Sequence, residues 1–124
     1  MRITKPAAIA VAFFLAGAAI ADTGDLQGMW KGPWYIGMSS GIVAMDIAED
    51  GSGTIALTNL NEFGSQPIAL AKQSFDGKSL AFSAIGANGA VLIMNLRLYG
   101  AGKQLRGNGK HAGFGTRMEL QRAD

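Results

Sequence analysis

From Ile42 onward, apolar and polar residues alternate along the chain with a period of two. Val43, Met45 and Ile47 share one side of their segment, as do Ile55 with Leu57, Ile68 with Leu70, and Leu80 with Phe82. Leu92, Met94, Leu96 and Leu98 continue the series, and Phe114, Met118 and Leu120 close it. The intervening positions carry Asp46, Thr54, Thr58, Gln73, Ser79, Ser83, Asn95, Arg97, Arg117, Glu119 and Gln121. Successive side chains of a strand point to opposite faces, so this pattern predicts antiparallel strands with one buried face. Turn signals separate the segments: Glu49 to Gly53, Asn61 to Ser65, Asp76-Gly77, Asn88-Gly89 and Gly100 to Gly102. Asp-Gly and Asn-Gly favour tight hairpins because both supply residues that tolerate positive φ. Eight strands are predicted, at 26–32, 41–49, 53–60, 66–74, 79–86, 90–99, 103–109 and 114–122, and no helical period appears after residue 21.

Eight short strands joined by tight turns, with no long crossover, predict an all-β fold: an eight-stranded antiparallel up-and-down barrel. Closing such a meander removes its unpaired edges. A two-sheet β-sandwich is the alternative that the same pattern permits.

The first 21 residues stand apart. Arg2 and Lys5 precede an apolar run from Ala7 to Ala21, which ends in Ala19-Ile20-Ala21. A basic start, a short apolar stretch and small residues at a cleavage position predict a signal peptide over 1–21 and a periplasmic or secreted protein. The run is short for a membrane-spanning helix, so an uncleaved anchor is the lesser reading. Residues 22–124 are then one small β-barrel domain. Without cysteine it has no disulfide and no lipid-modified thiol, and its core alone must hold it together.

The leader also takes two of the eleven basic residues with it, leaving nine against nine acids. No global attraction to nucleic acid or to an anionic membrane follows. The remaining charges are sorted, however. Asp22 to Glu62 holds six acids and Lys31 alone, whereas six bases lie from Arg97 onward against two acids. In a closed barrel the first strand neighbours the last, so the two stretches are expected to lie side by side and complement each other.

Catalytic constellations are not evident. His111 is the single histidine and sits in "GKHAG", which reads as a solvated turn. Ser39 and Ser40 lack a nucleophile elbow, and dispersed carboxylates around one histidine do not make a metal site. The glycine-rich stretch "GAGKQLRGNGKHAGFG" has neither phosphate-loop spacing nor a following helix. Lys103, Arg106, Lys110 and Arg117 lack the aromatic platform that single-stranded nucleic acid requires. The expectation is a non-enzyme without metal or cofactor.

Binding remains. Trp34, Tyr35, Ile36 and Met38 fall in "PWYIGMSSG", read as a loop with exposed aromatics and hence a ligand mouth or a protein contact. Met45, Phe82, Met94, Phe114 and Met118 belong to the inward set, as lining for an apolar ligand or as core filling. Ile85, Val91 and Ile93, with Ala81, make an outward face more apolar than solvent requires, a candidate for self-association or for a partner.

The opening strand supplies one more constellation. Leu26, Gly28 and Trp30 share a parity, and Arg122 shares one with Met118 and Leu120 at the end of the last strand. An inward arginine needs a partner, and a neighbouring tryptophan face offers a cation–π contact. Gly28-x-Trp30 with a terminal arginine resembles the signature of the calycin superfamily: lipocalins, fatty-acid-binding proteins and avidins. The wider pattern of "LQGMWKG", "EDGSGT", "FDGKSLAF", "LRLYGAGKQLRG" and "MELQR" is similar to a small barrel-like module of secreted bacterial proteins. The resemblance implies a closed barrel. The residues themselves suggest an exported binding protein whose mouth and interior accept a small hydrophobic ligand. The alternative is an interaction or inhibitor module that docks on another exported protein through Trp34, Tyr35 and the outer apolar patch. The chain is shorter than a lipocalin, and it shows neither a helical lid nor an avidin-type site, so no family ligand is carried over.

Overall fold

The structure is a computed structural model that describes residues 25–64 and 66–123; the leader expected at 1–21 lies outside the described residues. Nine strands occur: β1 (Gly28–Ile36), β2 (Ser39–Ile47), β3 (Gly53–Leu57), β4 (Ile68–Ala69), β5 (Ala71–Phe75), β6 (Ser79–Ile85), β7 (Val91–Tyr99), β8 (Gln104–His111) and β9 (Phe114–Arg122). All join in one antiparallel sheet of order β4-β3-β2-β1-β9-β8-β7-β6-β5. The first strand therefore pairs with the last, as an up-and-down barrel demands. The two ends of the order, β4 and β5, are consecutive in the chain with Leu70 between them, so the sheet rolls into a nearly closed barrel.

The ninth strand comes from the segment expected as one strand at 66–74. Its first half pairs with β3, Thr54 opposite Ala69, and its second half pairs with β6, Phe75 opposite Leu80. The chain changes partner at Leu70, and Lys72 adopts φ 54° inside an irregular register between Ala71 and Ser74. A bulge of this kind bends a strand and sharpens its twist, which is what a barrel seam needs.

The alternation reads the interior correctly on most strands. Val43, Met45, Ile47, Ile55, Leu57, Leu80, Phe82, Leu92, Met94, Leu96, Met118 and Leu120 are all buried, together with Trp30, Trp34 and Leu105. β1 departs from expectation. Pro33 lacks a donor and reads as the end of a central strand, yet β1 runs through it to Ile36. The ladder to β2 continues across Pro33, opposite Ile42, while the ladder to β9 skips Gly32 and Pro33. The connection to β2 is then only Gly37-Met38, with Gly37 at φ 58°. "PWYIGMSSG" is thus a hairpin rather than a mouth loop. Trp34 faces inward and is fully buried, Tyr35 and Ile36 are half-buried, and Met38 alone is fully exposed at the tip.

Trp34 fits because its neighbours are small. Gly41 lies opposite it on β2, and a Cβ there would meet the indole nitrogen at 2.6 Å. The indole instead passes Gly41 and donates a hydrogen bond to the Thr58 carbonyl at 2.9 Å. On β8 the inward positions Gly107 and Gly109 leave no room for a side chain either, since a Cβ at Gly109 would run into the Ile93 carbonyl and the Met94 sulfur.

Trp30 and Arg122 close the other end. They are register partners between β1 and β9, and the guanidinium lies 4.3 Å from the centre of the indole ring. Arg122 donates to the carbonyls of Gly102 at 3.2 Å, Gln27 at 2.7 Å and Asp25 at 2.5 Å, while Trp30 Nε1 donates to Leu26 O at 2.8 Å. One side chain thereby ties the β7–β8 turn and the entry to β1 to the last strand. Gly28, at φ 125°, makes the bend into β1 that no L side chain adopts readily.

Two stability losses follow. Trp34→Ala should destabilise by about 3–5 kcal/mol, the cost of a large cavity in a packed core. Arg122→Ala should cost about 2 kcal/mol, because charge-assisted hydrogen bonds are lost with the stacking contact. Urea unfolding followed by circular dichroism measures both, and an Arg122→Ala variant as stable as the parent would refute the closure role.

Candidate functional site

The interior offers no binding chamber among the described residues. Met45, Phe82, Met94 and Met118 point inward, but they pack against one another, the two tryptophans and the leucines of a continuous buried cluster. Phe114, expected inward, is 66% exposed. It shares the parity of Met118 but sits at the first position of β9, opposite His111 and beyond the last filled layer of the core. Of the nine residues singled out for binding, four are core, Trp34 makes a fifth, and only Met38 and Phe114 are well exposed.

His111 is not a solvated turn residue. β8 runs two residues further than its pattern suggests, and the turn is Ala112-Gly113, at φ 52° and 82°. Two positive φ values make a type I′ hairpin, a geometry that Ala-Gly does not advertise. His111 thus ends up inward and buried at the rim. The Asn61–Phe63 turn, a single 3-10 turn, folds over that rim. Phe63 packs its ring 5.3 Å from the imidazole, and Glu62 Oε2 lies 3.0 Å from Nε2. Nδ1 lies 3.3 Å from the Val91 carbonyl. Both partners are acceptors. The tautomer decides which of the two receives the ring N–H. The cluster latches the long β3–β4 connection onto the barrel end, and neither ring nitrogen meets a serine hydroxyl.

The outer wall is where side chains remain available. Ile85 (57% exposed), Val91 (41%) and Ile93 (57%) stand together on β6 and β7, Ile85 opposite Val91 and Ser83 opposite Ile93. With Lys72, Ala81 and Ser83 they border a shallow depression of about 310 Å³, floored by Phe82 and Met94. The patch read from the sequence is therefore real and continuous.

The sorted charges are disposed differently from the expectation. β1 and β9 do lie side by side, but Arg122 takes the backbone carbonyl of Asp25, not a carboxylate. Arg97, Arg106 and Lys110 have no carboxylate at ion-pair distance among the described residues, whereas Arg117 pairs with Glu119 at 3.3 Å. No group of three or more metal-ligating side chains occurs among the described residues, and none of their helices is long and apolar enough to cross a membrane.

No family model matches the chain, and no curated protein matches it. Among solved structures it is similar to a redesigned β-barrel, with a TM-score of 0.68 at 14% sequence identity, over 87% of this chain and 100% of that one. The likeness shows the fold: a β-barrel.

The latch has a pH signature. The hydrogen bond from His111 holds the Glu62 carboxyl below its ordinary value. A carboxyl with a lowered folded-state pKa stabilises the fold above its unfolded value of about 4.3, and that contribution is lost as pH falls through the folded value. Wild type should therefore exceed Glu62→Gln in thermal midpoint at neutral pH, and the gap should narrow below about pH 4. A gap that is constant from neutral pH down to acid would show that the carboxylate is not what the latch uses.

Proposed function

We propose that this chain is an exported, non-catalytic binding module with a calycin-like closed end, which docks on another exported protein through the outer wall of β6 and β7. The observation that carries this reading is the exposed trio of Ile85, Val91 and Ile93 around one depression. Contiguous apolar side chains on the surface of a small domain mark an interaction site. The filled interior supports the same reading, because it leaves a partner to be met from outside. Stacking of Arg122 on Trp30 between first and last strands supports the calycin-like comparison.

The rim of the patch favours a partner other than a second copy. Lys72 borders the depression, and Lys110 is the register partner of Ile93. A two-fold contact centred here sets each patch against itself and brings these cations together. A partner with an apolar knob and an acidic surround fits better.

The Ile85→Gln/Ile93→Gln double variant tests this. Both side chains are exposed, so the variant should keep its thermal midpoint within a few degrees. Immobilised wild-type protein should retain a defined protein from the host's exported fraction, and the variant should lose at least nine-tenths of it. Equal recovery on both surfaces would sink the reading, as would sedimentation of the wild type as a dimer that the double variant converts to monomer.

A further inference from the structure

The wall formed by β7, β8 and β9 carries a second surface of different chemistry. Its outward residues include Asn95 and Arg97 on β7, Arg106, Asn108 and Lys110 on β8, and Arg117 on β9, all exposed. Glu119 is the single acid among the outward residues of these three strands. It lies opposite Arg106, borders the depression beside it and takes Arg117 Nε at 3.3 Å, which leaves the terminal N–H groups of Arg117 for a ligand. Asn95 lies opposite Asn108, Asn108 opposite Arg117, and Arg117 opposite Tyr35 of β1. Arg97 lies directly opposite Arg106. Two like charges in one cross-strand pair destabilise a sheet. Asp76, which feels the charge of Arg97, and Glu119 opposite Arg106 offset part of that, and an anion between the two arginines removes more of it.

Two of the guanidiniums are held in place. Arg106 lies 4.2 Å from the Tyr99 ring centre, and Arg117 lies 4.8 Å from that of Tyr35. Stacking keeps long side chains flat against the wall, so less rotamer freedom is lost when their N–H groups meet a ligand. Between the two stacks runs a trough. A depression of about 440 Å³ between Tyr35 and Gly115 meets another of about 220 Å³ between Tyr99 and Arg106, and both are bordered by Asn108 and Arg117. At Gly115 nothing stands within 4 Å of where a Cβ would sit, so the floor is open there.

We infer that this trough binds an acidic polysaccharide, a chain bearing carboxylates at regular intervals. Planar guanidiniums donate paired hydrogen bonds to carboxylates. Asn108, lying between Arg106 and Arg117 and bordering both depressions, offers donors and an acceptor to the hydroxyls that separate the charges. A linear chain crosses the strands along the trough, from the Tyr35 stack to the Tyr99 stack. Lys110 and Arg106 are four residues apart on β8, about 14 Å at the strand rise, which sets the width of the basic strip. Single-stranded nucleic acid is the less fitting polyanion, because a guanidinium already stacks on each tyrosine ring of this wall and competes with a base for it. A bilayer fits less well still, since a convex wall meets a plane along a narrow line.

The inference does not depend on the docking patch of β6 and β7, and its test separates the two. Oligogalacturonate, its methyl-esterified counterpart, oligodeoxythymidylate and phosphatidylglycerol vesicles are titrated against the full chain by calorimetry. Oligogalacturonate should bind, and its affinity should fall between about 50 and 200 mM salt, as expected for charge neutralisation. The methyl ester should bind at least tenfold more weakly. Arg106→Gln/Arg117→Gln should lose at least tenfold, and Gly115→Leu, which obstructs the trough without altering charge, should lose as much. Ile85→Gln/Ile93→Gln should bind like wild type. Thermal midpoints of all variants check that the fold is kept. The inference is overturned if no oligogalacturonate binds, if the ester binds equally, if Gly115→Leu has no effect, or if oligodeoxythymidylate or the vesicles bind more tightly.

Discussion

Filling a narrow barrel without leaving a void is the constraint on which this molecule depends. A barrel of nine strands has an interior that side chains can occupy fully, and here two indoles take the largest share of it. An indole on a strand fits only where the facing strands give way. Gly41 does so opposite Trp34, and Gly107 and Gly109 bring β8 close enough that no Cβ fits at either position. The glycines are therefore part of the core, as absent volume, and the tryptophans are their complement. Each indole N–H also finds a carbonyl, Leu26 for Trp30 and Thr58 for Trp34, so the large rings bury no unsatisfied donor.

Once the interior is solid, closure becomes a matter of edges. The barrel solves it in two ways. At one seam, β1 meets β9 along an antiparallel ladder interrupted at Gly32 and Pro33, and Arg122 fastens the join by stacking on Trp30 and donating to three backbone carbonyls. At the other seam, one segment serves two neighbours in turn, β3 through Ile68 and Ala69 and then β6 through Ala71 to Phe75. The long connection this requires would leave a barrel end open, and Phe63 and His111 cover it. The latch and the bent seam are thus consequences of the same partner switch.

What the sequence made legible follows from this division. Period-two alternation reports which side chains face a core, and it identifies the inward faces of β2, β3, β6, β7 and most of β9 by residue. The pairing of Trp30 with Arg122 was legible because both ends of the chain share a parity and closure brings them together. Trp34 was not legible, because Pro33 is a local stop signal that the pairing of β1 with β2 overrides. His111 was hidden for the opposite reason: "GKHAG" carries turn chemistry, but β8 continues through His111 and the turn begins only at Ala112, with positive φ. The partner switch at Leu70 has no local mark at all, since it depends on where β3 and β6 stand in space. The candidate surfaces divide in the same way. The apolar trio could be read from parity, whereas the trough could not, because it needs the register that sets Tyr35 beside Arg117 and Asn108.

A filled barrel also explains why the outer wall is chemically divided. Every residue of a closed sheet that does not face the core faces solvent, so adjacent strands must share whatever the surface does. β6 and β7 spend their outward positions on Ile85, Val91 and Ile93, while β8 and β9 spend theirs on Arg106, Lys110 and Arg117. The acids that could neutralise those bases were expected across the β1–β9 seam, but β1 faces outward with Lys31, Pro33 and Tyr35, and Asp46 lies one strand further on. The base-rich wall is left with Glu119 as its internal counter-charge and Asp76 near Arg97 at its margin. A small domain that needed only solubility gains little from setting Arg97 opposite Arg106 or from stacking guanidiniums on Tyr35 and Tyr99. An anionic partner gives both arrangements a physical reason.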